Sequence, residues 1–266
     1  MKHLTYQYIK LQETDSTNQV ARQMLRPESS HTLTVISSDY QTAGRGESGG
    51  WESERGQNLL FTIVCAPTFL KPRQQFAISE LMAVALHDAL LAYQLDEVTI
   101  KWPNDVYLGD GKACGMLIEH DIADGQLGKT IIGVGLNVNQ TRFLSDAPNP
   151  VSMAQKLNRH IDSQELLKED LLPRFGSMYL DLEHEVQNKP EWDLAQSPLH
   201  RKFVQSLYRN DGIAHRFSDQ SGEFWATLNG VEADGRLRLT RNGQLHHYAF
   251  KEVRFLPDTS PTNSQQ

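Results

Sequence analysis

Lys101, Asn104, Asp105 and Lys112 place two ammonium groups, an amide and a carboxylate in one short stretch beside Trp102. A lysine held rigidly in such company can meet an anion and stabilise charge that builds on it. In Lys101-Trp102-Pro103-Asn104-Asp105 the proline ring disfavours helical backbone at Trp102, so the segment ends a strand and starts a site. The run after Lys112, Ala113-Cys114-Gly115-Met116-Leu117-Ile118, carries no charge until Glu119, as expected of a buried strand with Lys112 at its open end. Asp105 suits more than one role: it can orient a lysine, bind magnesium, or serve as a structural partner of Lys101 or Lys112.

A second segment, Gln41-Thr42-Ala43-Gly44-Arg45-Gly46-Glu47-Ser48-Gly49-Gly50-Trp51, holds four glycines in seven residues between two apolar runs. Glycine lets backbone approach a phosphate or a flat ring closely, and Arg45 adds a permanently charged planar donor fork. The loop matches neither a Walker loop nor a dinucleotide fingerprint, so a flexible linker is the competing reading. A third segment, Ser16-Thr17-Asn18, precedes a helical pattern through Gln19–Leu25, where its side chains can cap amides or face a ligand.

These segments, with Ile131-Ile132-Gly133-Val134-Gly135-Leu136-Asn137-Val138-Asn139, occur in one order that resembles the biotin–protein ligases. That family carries a Ser-Thr-Asn segment, a Gly-Arg-Gly loop, a Lys-Trp-Pro-Asn-Asp motif, a Lys-x-x-Gly strand and an asparagine-ended strand. The resemblance extends from about residue 4 to residue 257. It implies a two-step reaction: biotin carboxylate attacks the α-phosphate of ATP to give biotinyl-5'-AMP, and a lysine of an acceptor protein then attacks the mixed anhydride. By the same resemblance Lys112 and Arg45 are the catalytic cations. Biotin would be bound by Ser16, Thr17, Asn18, Gln41, Gly44, Arg45, Gly46, Glu47, Trp51, Lys112 and Gly115. ATP would meet Arg45, Trp51, Asn104, Asp105, Lys112 and Asn137, with Mg2+ carried largely by the phosphates and no protein ligand assignable to it. The implied acceptor is a biotin carboxyl carrier domain of a carboxylase. Where the family has a further basic residue after the first loop arginine, this chain has Glu47 and Ser48, and Arg55 is the candidate substitute.

The elements that must position these groups read as an α+β fold. The resemblance implies a mixed, largely antiparallel sheet flanked by helices, a class II synthetase-like biotin/lipoyl ligase catalytic domain, over residues 1–205. It also implies a small SH3-like C-terminal β-barrel over 206–257 and a disordered tail over 258–266. Apolar runs Leu33–Ile36 and Asn58–Val64 and the stretches 98–107, 112–121 and 127–138 read as strands, with Asp124-Gly125 a hairpin turn. Residues Pro72 to about Leu91, Ser152–Leu157 and Ser163 to about Asn188 read as helices. Short strands after Pro198 are separated by Asn229-Gly230, Asp234-Gly235 and Asn242-Gly243 turns.

Composition narrows the function classes. At 266 residues the chain can bury a full core, and a net charge of −7 argues against a broad nucleic-acid footprint. Cys65 and Cys114 both sit in apolar runs and read as buried free thiols, consistent with a cytoplasmic protein. No run of about 18 apolar residues is evident, so no membrane span is expected. The catalytic-type segment starts too near Met1 for a preceding helix-turn-helix, which disfavours a DNA-binding repressor. A lipoate transferase would share the fold, but its Arg-Arg-x-x-Gly-Gly-Gly run is missing. A non-catalytic biotin binder and a sheet-edge homodimer stay open.

If the missing basic residue loosens the loop over an adenylate, Ser48→Arg should reduce release of the activated acid, because added charge beside a phosphate strengthens its retention. The measurement is lysine labelling on a bystander protein supplied with biotin and ATP alone, and equal labelling by both proteins would show that other groups already close the site.

Overall fold

The computed structural model describes residues 3–27, 29–46, 49–144 and 149–258. In chain order, β1 (Thr5–Leu11), α1 (Thr17–Gln23) and β2 (Thr32–Ser38) are followed by a short ladder of β3 (Arg45–Gly46) with β4 (Gly49–Gly50). Next come β5 (Leu59–Cys65), α2 (Phe76–Ala92), and the antiparallel run β6 (Val98–Lys101), β7 (Asp105–Leu108), β8 (Gly111–Ala123) and β9 (Gln126–Leu136). The helices α3 (Met153–Leu157), α4 (Ser163–Glu165), α5 (Leu172–Asn188) and α6 (Pro198–Gln205) lead to β10 (Ala214–Asp219), β11 (Gly222–Val231), β12 (Leu237–Arg241), β13 (Gln244–Tyr248) and β14 (Arg254–Phe255).

The large sheet has the order β1-β2-β5-β9-β8-β7-β6; only β1 and β2 run parallel. Strand alternation gives it two unlike faces. Phe61, Ile63, Ile132, Val134 and Leu136 point into the main core beneath α2 and α5. Ile36, Val64 and Ile131 point the other way and meet Ala21 of α1 in a second, smaller cluster. The same opposite face carries Thr62, Gly133 and Gly135, because Thr62 pairs with Gly133 and Val64 with Ile131. Helix α1 therefore covers part of a face whose remainder is nearly bare backbone.

Several sequence expectations change on this frame. The stretch 98–107 is not one strand but the hairpin β6–β7, and Trp102-Pro103-Asn104 is its turn, with a cis bond between Trp102 and Pro103. Asn229-Gly230 lies within β11, where the register against β12 shifts between Leu228 and Val231; Gly230, at φ +97°, makes a bulge rather than a turn. Asp124-Gly125 and Asn242-Gly243 do form two-residue hairpin turns, with both central residues of each at positive φ. The C-terminal strands make a five-stranded antiparallel sheet of order β13-β12-β11-β10-β14, which does not close into a barrel. Asp258 is fastened to β10, accepting from Arg216 N at 3.0 Å and lying 2.8 Å from His215 Nδ1, whereas residues 259–266 of the expected tail lie outside the described residues.

The stretch Pro72–Ala92 is, against expectation, long and apolar enough by length and composition to cross a membrane. Its apolarity has another cause here, since α2 is buried on most of its circumference between the sheet, α5 and α6. Cys65 and Cys114 are free and buried as expected. Within α2, Glu80 is fully buried, with Oε1 2.6 Å from Nδ1 of His200 on α6. Burial pushes the Glu80 carboxyl up to about 7, and the carboxylate beside it raises His200 despite its own burial.

Both shifts are upward, so across neutral pH the folded chain holds more protons than the unfolded chain and loses stability as pH rises from the ordinary Glu value to about 7. Glu80→Gln should therefore gain thermal stability relative to wild type as pH is raised through that window, read as parallel melting curves. A difference between the two proteins that stays constant with pH would show that Glu80 does not titrate.

Candidate active site

The bare face of the large sheet forms the floor of a cleft. Gly115 of β8 pairs with Gly135 of β9, and Leu117 pairs with Gly133, so the glycines lie side by side across two strands. Two side chains rest directly on them. A Cβ added to Gly135 would come within 2.7 Å of Trp51 Nε1, and one added to Gly115 within 2.9 Å of Trp51 Cζ3. A Cβ on Gly133 would lie 2.7 Å from Asn18 Cγ. Any side chain at these three positions would displace the cleft's own walls.

A polar network closes one end. The Gln41 side-chain carbonyl accepts from Thr17 N at 2.7 Å and from the Thr17 hydroxyl at 3.1 Å, capping α1 from the adjacent segment that bridges to Thr14. The Ser16 hydroxyl, at the N-cap position, makes no capping bond and lines the cleft instead. Thr62, wholly buried on β5, has its hydroxyl 2.8 Å from that of Thr17 and 2.7 Å from Asn18 Oδ1, while Asn18 Nδ2 donates to Leu117 O at 3.2 Å. The far end of α1 is held to the sheet by the Arg22–Glu119 ion pair and by Lys129, whose ammonium donates to Arg22 O and Met24 O. Helix α1 is thereby locked at both ends with Asn18 over Gly133.

Charge collects at the other end. Lys112 Nζ lies 2.7 Å from Asp105 Oδ1 and 5.9 Å from the Trp51 ring centre. The backbone of Lys112 is clamped as well: its N donates to Asn149 O at 2.8 Å, and its O accepts from Val151 N at 3.0 Å. Burial raises the Asp105 carboxyl, with Lys112 and Lys101 opposing that rise. Asn104 Nδ2 donates to Met116 O at 2.7 Å, tying the β6–β7 turn to β8. Arg45 lies exposed at the rim.

Ser16, Thr17, Asn18, Gln41, Arg45, Gly46, Trp51, Asn104, Asp105, Lys112 and Gly115 therefore all line one cleft. Gly44 does not line the cleft, and a Cβ added there would meet Trp51 O and Gln41 Nε2; Glu47 lies outside the described residues. Asn137 does not reach the cleft; its amide donates to Lys112 O at 3.4 Å and Val151 O at 3.2 Å. Arg55 does not stand in for a loop cation, because it pairs with Glu13 and stacks over Tyr40. Trp102 is a core residue whose Nε1 donates to Gly235 O at 2.8 Å, joining the hairpin to the C-terminal sheet. Sequence reasoning missed Thr62, whose only signal was a lone hydroxyl in an apolar strand. It also passed over Gly133 and Gly135, whose signal was glycine at alternate positions of a strand.

The model of the biotin/lipoate A/B protein ligase family matches residues 10–137. The bifunctional ligase/repressor BirA of Bacillus subtilis is 30% identical over 91% of this chain and 70% of its own length. The biotin–[acetyl-CoA-carboxylase] ligase of Paracoccus denitrificans is 33% identical over 65% of this chain and 73% of its own. This chain belongs to the biotin–protein ligase family. A biotin protein ligase of Aquifex aeolicus shares the fold, with a TM-score of 0.74 at 21% identity over 94% of this chain and 99% of that one. The chain spans about half the length, or less, of several other curated relatives it matches.

Thr62→Val should leave Thr17 and Asn18 without their buried partner and destabilise this family member by about 1–3 kcal/mol. Denaturant melts measure the loss, and an unchanged midpoint would mean that the network repairs itself.

Proposed function

We propose that this protein is an ATP-dependent biotin–protein ligase that makes biotinyl-5'-AMP from biotin and ATP and transfers biotin to one lysine of a biotin carboxyl carrier domain. The observation that carries the reading is the Lys112–Asp105 pair, 2.7 Å long, at the end of a glycine-floored cleft with Arg45 on its rim. The first step brings a carboxylate against a phosphate, and a fixed ammonium lowers the cost of that encounter. Asp105 holds Lys112 in place, and Arg45 is suited to the phosphate oxygens as a planar donor fork. Bare backbone at Gly115, Gly133 and Gly135 suits a flat bicyclic ring, whose polar edge Ser16, Thr17, Asn18 and Gln41 can meet.

The carboxylate oxygen bonds to the α-phosphorus as pyrophosphate leaves. The acceptor amine then bonds to the acyl carbon, AMP leaves, and the amine proton passes to solvent. Magnesium fits this chain only as a companion of ATP. Asp105 is the sole carboxylate among the described residues lining the cleft, it is engaged by Lys112, and no cluster of three metal-binding side chains occurs among the described residues.

The same proposal assigns residues 1–205 to a catalytic domain and 206–257 to a C-terminal one, places the protein in the cytoplasm, and excludes DNA and membrane surfaces as partners. The net charge of −7 and two buried free thiols support it. A homodimer would use the edge strand β1.

Lys112→Ala should lower biotin-dependent ATP–pyrophosphate exchange by about a hundredfold or more while the melt stays near wild type, since it removes a charge fixed at the reacting groups. Exchange that wild type supports with lipoate but not biotin, or a folded Lys112→Ala protein with normal exchange, would overturn the reading.

A further inference from the structure

A second lysine, Lys101, lies beside the reactive pair without lining the cleft. It ends β6 directly opposite Asp105, the first residue of β7. Its ammonium donates to Tyr107 OH at 2.8 Å and sits 4.5 Å from the Tyr107 ring centre, 5.4 Å from that of Phe255 and 5.9 Å from that of Tyr208. Tyr107 belongs to the hairpin that carries Asp105, whereas Phe255 is on β14 and Tyr208 follows α6. The cage is thus assembled from two parts of the molecule. Rings of this kind hold a cation through their faces while excluding the water and counter-ions that would screen it.

We propose that Lys101 is a positioning residue for the reaction: caged away from substrate, it keeps Asp105 ionised, and Asp105 in turn holds Lys112 toward the reacting carboxylate and phosphate. The inference rests on the ligase reading of the cleft. A carboxylate as enclosed as Asp105, 19% exposed, gains from a second compensating cation, because desolvation favours its neutral form. Lys112 is the cation in contact with Asp105, but incoming anions will compete for it. Lys101 cannot be drawn off in this way. It is enclosed by rings and directed at Tyr107, so its field on Asp105 persists when Lys112 turns to substrate.

The groups facing Lys101 are Asp105 across the hairpin, Tyr107 on β7, Asp110 and Lys112 around the β7–β8 turn, and Tyr208 and Arg209 after α6. Burial lowers Lys101 to about 8, so it is charged throughout the acid range in which Asp105 titrates. Both tyrosines are shifted upward by burial and stay neutral there. Removing the Lys101 charge therefore acts in one direction: the Asp105 carboxyl rises further, and the acid limb of activity moves to higher pH.

The test compares wild type, Lys101→Met and Lys101→Arg. Carbon-13 NMR of the carboxyl groups, with Asp105 assigned through Asp105→Asn, should show the Asp105 midpoint raised by about half a pH unit or more in Lys101→Met and restored in Lys101→Arg. Pyrophosphate exchange by Lys101→Met should fall by up to about threefold on the acid limb, as a half-unit rise in the Asp105 midpoint dictates, and match wild type near pH 8.5, whereas a merely structural lesion would lower it at every pH. In an Asp105→Asn background Lys101→Met should add no further loss. Where Lys101→Met fails to fold, Lys101→Gln replaces it, since the amide can still bond Tyr107. An Asp105 midpoint that ignores the Lys101 charge, or losses that add in the double variant, would overturn the proposal. The titration needs no substrate, so its failure is separate from failure of the ligase reading, which the Lys112→Ala exchange assay decides.

Discussion

The structure depends on β9 being packed on one side and naked on the other. Ile132, Val134 and Leu136 bury into the main core, while Gly133 and Gly135 leave backbone facing the cleft. A strand stripped of side chains on one face loses half its packing and gains conformational freedom in the unfolded state. Its loss is made good by neighbours: β5 and β8 bond it along both edges, and α1 covers its far end through Ala21 and Ile131. Everything that reaches the cleft is arranged around that floor, with Asn18 over one glycine and Trp51 over two others.

Against that neutral floor, the charges are confined to one end and are few. The partly buried Asp105 carboxylate is tolerable because Lys112 touches it and Lys101 faces it across the hairpin. Lys112 is in turn fixed by its main chain, through Asn149 and Val151, while its side chain passes Gly115 to reach Asp105. That leaves the ammonium able to move between Asp105 and a ligand while its Cα stays put. Trp102, bonded to Gly235, ties the turn carrying Asn104 and Asp105 to the C-terminal sheet, so the position of the carboxylate depends on both sheets.

Much of this was legible in the sequence where a residue's chemistry is local. The Asp124-Gly125 hairpin and the free thiols follow from spacing and residue type, and the gathering of the Ser-Thr-Asn segment, the loop arginine and Lys112 around one cleft is what the family resemblance implies. What sequence could not show depends on direction. Asn137 and Arg55 have the right chemistry for nucleotide contact, but the main-chain carbonyls of Lys112 and Val151 engage the first and the Glu13 carboxylate engages the second. Thr62 was hidden because one hydroxyl in an apolar strand looks like tolerated polarity until its partners are known. The apolar α2 resembles a membrane span in composition for the same reason that it is a good core helix: it has almost no face exposed to water.

Trp51 gives the cleft an occupant of its own. Its indole lies on Gly115 and Gly135, and its Nε1, buried beside Gly135, has no hydrogen-bond partner among the described residues. A flat ligand seeking the same floor therefore meets an intramolecular competitor already stacked there. The affinity such a ligand shows is a difference between two stackings rather than the strength of one.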